Sequence, residues 1–148
     1  MNMLTLAIVK PDAVEAGNTG NILAQLEREG FRLRAARLVR LSTAQAEAFY
    51  AVHRERAFFR PLVAFLTSGP ALALALERPN AVGHLREVIG ATDPAEAGAG
   101  TIRRLYAQSK ERNAIHASDS PETATWEVAF FFSESELTGL AGVSPKLA

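Results

Sequence analysis

Apolar positions recur along this chain in two periods. Leu4-Thr5-Leu6-Ala7-Ile8-Val9 is a β-rich run closed by Lys10-Pro11. Proline has no N–H for a ladder and keeps its predecessor extended, so a core strand is expected here with Lys10 at its end. Gly17 to Gly20 reads as a turn, after which Ile22, Leu23 and Leu26 give a helical stripe stopped by Gly30. Phe31, Leu33 and Ala35 alternate with arginines, and the phase slips at Ala35-Ala36 before Leu38 to Leu41 resumes it. That predicts a long strand with a bulge. Ser42 and Gln45 have the form of a capping box for a helix with Ala46, Phe49, Tyr50 and His53 on one face. Phe58, Phe59, Leu62, Val63 and Leu66 predict a second, shorter one.

Ala71 to Leu76 strictly alternates alanine and leucine. Such a strand turns its leucines to one face and admits a close neighbour over the alanines on the other. Asn80 precedes Ala81, Val82, Leu85, Val88 and Ile89 at helical spacing, with Gly90 as the stop and His84 and Arg86 on other faces. Periodicity is lost from Ala91 to Gly100, a loop longer than most connections. A short helix over 101–107, a short strand at Ile115-His116 and a helix from Pro121 to about Phe132 follow. The stripe of that last helix is Ala124, Val128 and Phe131, with Glu127 assigned to a different bearing. This succession predicts an α+β domain, a four-stranded sheet covered by helices on one face. One domain spans 1–148, with its core at about 3–132 and a tail, 133–148, expected to be partly ordered against a neighbouring subunit.

Composition narrows the chemistry. With 148 residues, 48% of them hydrophobic and 22% charged, the chain builds a single core of ordinary size. Sixteen basic and sixteen acidic side chains cancel, so no global field draws it to nucleic acid or to a membrane. The absence of cysteine excludes disulfides, thiolate metal sites and a cysteine nucleophile. The apolar run at Leu4–Val9 is too short for a signal peptide or a membrane span, and a cytoplasmic location is expected. Arg54, Arg56 and Arg60, and again Arg103, Arg104, Lys110 and Arg112, fall close together. Such groups are either solvated faces or anion sites.

Asn113 to Pro121 holds the most concentrated chemistry. An apolar pair runs into the lone His116, then Ser118, Asp119 and Ser120. Ser120-Pro121-Glu122 has the N-cap, the first-position proline and the first-turn acid of a helix start, which places His116 in a loop at the positive end of a helix, where anions are favoured. Locally it is either a hydrogen-bonded structural histidine or a nucleophile. The usual phosphate loops are missing: there is no Gly-x-x-x-x-Gly-Lys-Ser/Thr and no Gly-x-Gly-x-x-Gly after a strand.

Several segments taken together resemble the nucleoside diphosphate kinases. They are Lys10-Pro11-Asp12-Ala13, Ala57 to Leu62, Thr67-Ser68-Gly69-Pro70, Gly90 to Ala95, Gly100-Thr101-Ile102-Arg103 and Asn113 to Ser120, in that family's order from about residue 3 to residue 132. The resemblance implies a ferredoxin-like antiparallel sheet and transfer of the terminal phosphate of a nucleoside triphosphate to a nucleoside diphosphate through a phosphohistidine. It makes His116 the nucleophile, with Ser118 and Glu127 orienting the imidazole and Tyr50 beside the phosphohistidine. Lys10, Arg86, Thr92 and Arg103 match the groups that hold phosphates, and Asn113 with Lys10 those that meet the sugar. Phe58 and Leu62 match the base platform. Mg²⁺ is implied on the nucleotide phosphates, with Asp119 reaching it through water, and a homo-oligomer is implied, hexamer before tetramer. The chain departs from the family pattern at Ala117, where a glycine is common, at Arg104-Leu105-Tyr106, at Lys110 and at Ala99. The alternative is a ferredoxin-like nucleotide-binding or regulatory module that keeps the site without its turnover.

Overall fold

The computed structural model describes residues 2–137. In chain order the elements are β1 (Asn2–Val9), α1 (Pro11–Glu15), α2 (Thr19–Arg28), β2 (Arg32–Val39), α3 (Thr43–Phe49), a 3₁₀ turn (Ala51–His53), α4 (Phe59–Leu66), β3 (Ala71–Pro79), α5 (Ala81–Ile89), α6 (Ile102–Tyr106), β4 (Ile115–Ala117) and α7 (Pro121–Phe131). The strands form one antiparallel sheet in the order β2-β3-β1-β4. This is the ferredoxin-like arrangement, with β1 and β3 central.

Strand alternation divides the core in two. Ala7, Val9, Leu74 and Leu76 face α2, α5 and α6, where Ile22, Leu26, Leu85, Ile89 and Ile102 complete one cluster. Leu6, Ile8, Ala71, Ala73 and Ala75 face the other way, toward Phe49, Phe59, Val63, Val128 and Phe131. Helices therefore cover both faces of the sheet, not one. The alternation of β3 explains how: leucines fill the space beneath α5, and alanines let the aromatic side chains of α3, α4 and α7 approach closely.

Other local expectations shift slightly. The bulge of β2 lies between Leu33 and Ala35, one residue earlier than the break in the sequence pattern. The capping box of α3 is formed, Ser42 accepting from the Gln45 N–H at 3.1 Å and the Gln45 side chain from the Ser42 N–H at 2.8 Å. That helix stops at Phe49 and tightens into the 3₁₀ turn, so His53 is not on its face. The beginning of the tail is fastened to β2: Arg37 bonds both carboxylate oxygens of Glu136 at 2.9 Å, and Arg34 donates to the Leu137 carbonyl at 2.7 Å. Residues 138–148, most of the segment expected against a neighbouring subunit, lie outside the described residues.

Candidate active site

His116 is on the short strand expected at Ile115-His116, and not in the loop that the helix start at Ser120 suggested. It pairs with Ile8 across β4 and β1, flanked by the pairs Val9 with Ile115 and Ala7 with Ala117. Ile115 and Ala117 are buried in the α2/α5 cluster, so alternation turns the imidazole to the opposite face, beneath α3 and α7. There its ring meets the edge of Phe49 at 5.3 Å and of Tyr50 at 6.2 Å. Ala117 has no positive φ; Asn80 and Ala114 alone have one among the described non-glycine residues. The alanine beside the histidine is therefore accommodated in an ordinary strand.

Glu127 fixes the imidazole. Its Oε1 lies 2.9 Å from His116 Nε2 and accepts a second hydrogen bond from Ser118 Oγ at 2.7 Å. Glu127 does not lie on a separate bearing, because positions 124, 127, 128 and 131 share one buried stripe of α7 and the residue is only 7% exposed. With Nε2 engaged by a carboxylate, the nitrogen left with a free lone pair is Nδ1. Ser120 caps α7 by accepting from the Thr123 N–H at 3.1 Å, as the sequence predicts.

Beside this triad is a cluster of cations. Lys10, at the end of β1, donates through Nζ to Asn113 Oδ1 at 2.9 Å, and Asn113 Nδ2 reaches the Thr92 carbonyl at 3.3 Å. Arg103, buried on α6, donates from Nε to the Asn113 carbonyl (3.3 Å), from Nη1 to the Gly90 carbonyl (3.1 Å) and from Nη2 to the Ile115 carbonyl (2.7 Å). Gly90 has φ +88, and a Cβ there would stand 2.7 Å from that of Thr101, so no other residue presents this carbonyl. Arg86 on α5 makes a long contact of 3.4 Å from Nη1 to the Ala117 carbonyl. Burial, with the Arg103 charge adding to it and Asp12 opposing it, brings the Lys10 ammonium down to about 8. Burial, then Arg86, lowers Arg103 to about 10, and both remain cationic at neutral pH.

Tyr50 is the third component. Its phenol is buried against His116 without a hydrogen-bond partner among the described residues. Burial, reinforced by Glu127 and opposed by Arg103, pushes its ionisation above the ordinary phenol value, so it stays an unused O–H donor. Phe58 and Leu62 stand apart from the cations. Phe58 precedes α4 with 48% of its surface exposed and connects to His116 only through rings, touching His53 (5.3 Å), which touches Tyr50 (6.2 Å). Asp119 and Thr92 are exposed at the margin of the cluster. The sequence reading missed Phe49, which packs on the imidazole, and Asp12, which accepts the Ala114 N–H at 3.0 Å. Asp12 had a visible signal in Lys10-Pro11-Asp12, an acid two residues past the candidate lysine that closes the first strand.

A ferredoxin-like sheet bearing a carboxylate-held histidine next to the buried cations Lys10 and Arg103, which form no ion pair among the described residues, defines a phosphotransferase. The family model described as nucleoside diphosphate kinase matches residues 4–137. The nucleoside diphosphate kinase of Halorhodospira halophila is 56% identical over 133 residues, 90% of this chain and 94% of that protein. That of Sorangium cellulosum is 53% identical, covering 90% and 92%. Among solved structures, the Aquifex aeolicus nucleoside diphosphate kinase superposes with a TM-score of 0.90 at 47% identity, covering 92% of this chain and 99% of that one. A halophilic nucleoside diphosphate kinase from Halobacterium salinarum, in complex with CDP, gives 0.88 at 36% identity, covering 92% and 91%. This chain belongs to the nucleoside diphosphate kinase family. It is a kinase acting on nucleotides, and the reading as a binding module without turnover is not favoured.

Proposed function

We propose that His116 carries the phosphate between two nucleotides. The observation that supports this most directly is the bond between His116 Nε2 and Glu127, which holds a proton on Nε2 and leaves Nδ1 nucleophilic. The Nδ1 lone pair forms the new bond to the terminal phosphorus while the bond from phosphorus to the bridging oxygen breaks, and its electrons leave with the nucleoside diphosphate. The second half-reaction reverses this, a terminal oxygen of the acceptor diphosphate taking the phosphoryl group from Nδ1. Glu127 keeps the Nε2 proton throughout, and Ser118 holds Glu127. Tyr50, with its unused O–H, donates to the phosphoryl oxygens on His116.

Lys10, Arg86, Arg103 and Thr92 hold the phosphates. Lys10 has three N–H donors and gives one to Asn113; Arg103 has five and gives three to carbonyls, so two on each are left for the phosphates. Asn113 and Lys10 meet the sugar hydroxyl. Mg²⁺ comes with the nucleotide: among the described residues no three His, Cys, Asp or Glu converge on a metal, and exposed Asp119 fits a contact through water. The ion's charge offsets that of the phosphates. A homo-oligomer is proposed, hexamer before tetramer; an interface between copies is supported by β2, the terminal strand of the sheet, which exposes Leu33 (44%) and Leu38 (64%). The proposed setting is the cytoplasm; among the described residues no helix is long and apolar enough to cross a membrane.

Incubation with γ-labelled ATP and magnesium tests the proposal. The protein is expected to take up label that is acid-labile, base-stable and discharged by GDP; no uptake rejects it. Phe58 and Leu62 form the base platform, and Phe58→Ala is expected to raise KM for purine and pyrimidine nucleotides by similar factors, since stacking contributes about 1–3 kcal/mol whichever base is present. A loss confined to one class places the base elsewhere. The Lys10 ammonium gives a pH dependence. In the free enzyme it loses its proton above about 8, so kcat/KM is expected to fall on the alkaline side with that limit. Bound phosphate favours the charged form, so the matching limb of kcat should lie at higher pH.

A further inference from the structure

Ala114, between Asn113 and Ile115, has a backbone conformation that alanine rarely adopts. Its φ is +74, and the Ile115 N–H closes on the Asn113 carbonyl at 2.8 Å, two residues back. This is a γ-turn of positive φ, the rare and strained form, adopted by a residue whose Cβ opposes it. Asn80, the other non-glycine residue with positive φ among the described residues, is of a type that visits this region readily. Both polar groups of the Ala114 backbone are held by the corner between β1 and α1. Its carbonyl accepts from the Lys10 N–H at 2.8 Å, and its N–H donates to Asp12 Oδ2 at 3.0 Å. Asp12 is 3% exposed, and its Oδ1 has no partner among the described residues. A buried carboxylate with one oxygen unsatisfied calls for a reason.

We propose that Asp12 is a positioning residue: by holding the turn at Ala114 it aims Asn113 at Lys10 and starts β4 in the register that presents His116. The turn reverses the chain between these two functional residues. Before it, the Asn113 side chain reaches Lys10 Nζ at 2.9 Å. After it, Ile115 pairs with Val9 and His116 with Ile8. Asp12 touches neither directly and acts through Ala114. The inference rests on His116 being the phosphoryl carrier.

The test is the rate of His116 labelling at saturating magnesium-ATP, near pH 6.5 and 25 °C, with the melting temperature of each variant recorded. Asp12→Ala is expected to label roughly ten- to a hundredfold more slowly, the range set by releasing one strained residue. Adding Ala114→Gly to it should restore most of that rate, because glycine takes positive φ without the held hydrogen bond. Asp12→Asn, which keeps an acceptor oxygen for the Ala114 N–H, should label within about threefold of the parent. A folded Asp12→Ala protein that labels at the parent rate overturns the inference. So does a double variant that melts no lower than Asp12→Ala yet recovers nothing. If Asp12→Ala does not fold, the Asn variant decides, and labelling as slow as roughly a hundredth of the parent rate counts against the turn. Label retained by His116→Ala would instead reject the carrier assignment, leaving the two failures distinct.

Discussion

In His116→Ala, phosphate exchange between ATP and GDP is expected to fall at least about 10⁴-fold in kcat, with no acid-labile label on the protein. Nucleotide affinity should change little, because none of the groups assigned to phosphate, sugar or base depends on the imidazole. Lys10 and Asn113 hold each other, Arg103 is anchored on three carbonyls, and Phe58 lies beyond two intervening rings. Removing the ring leaves Glu127 bonded to Ser118 alone, so its buried carboxylate loses one of two partners. Equilibrium binding of a labelled diphosphate separates the outcomes: intact affinity with lost turnover supports the carrier role, and parallel loss of both means the imidazole supports the pocket instead. A kcat within tenfold of the parent would reject the mechanism outright.

The sequence made the sheet legible because β1 is a continuous β-rich run closed by Lys10-Pro11, and β2 and β3 alternate strongly enough to display their period. It did not reveal that both faces are covered. The alanines of β3 admit a close neighbour without naming it, and the aromatic side chains of Phe49, Phe59 and Phe131 supply it. His116 was legible as a candidate through the hydroxyl-rich segment around it, but its strand is only three residues long. That is too short for a period to show, so the strand expected at Ile115-His116 competed with the loop that the strong cap at Ser120 suggests. Glu127 sat in plain view at the helical spacing of Ala124, Val128 and Phe131; expecting a glutamate to face solvent concealed that it is buried with the histidine. The turn at Ala114 had no local signal at all. Alanine does not advertise positive φ, and the groups that hold it come from about a hundred residues earlier in the chain.

Arg103→Ala is expected to lose both fold stability and phosphate binding, and the two losses are separable. The guanidinium joins Gly90 at the end of α5 to the segment 113–115, bonding the Asn113 carbonyl before the strained turn and the Ile115 carbonyl within β4. Truncation strips these carbonyls of a charged donor in a buried setting, costing about 3–5 kcal/mol. For a chain of this length that lowers the melting temperature by roughly 10 °C or more. Lysine cannot substitute: one ammonium has three donors at a single point, whereas the planar fork reaches three carbonyls and still points two N–H groups elsewhere. Arg103→Lys should therefore recover little of the stability. Saturating substrate analysis on folded protein well below the melting point isolates the second loss. A transition state that spreads charge over the phosphoryl oxygens needs those two N–H groups, so kcat should fall by about 10²-fold or more even where the variant is fully folded. Were kcat intact at low temperature and only stability reduced, Arg103 would be a scaffold for the Asn113 turn, and Lys10 with Arg86 would carry the phosphate between them.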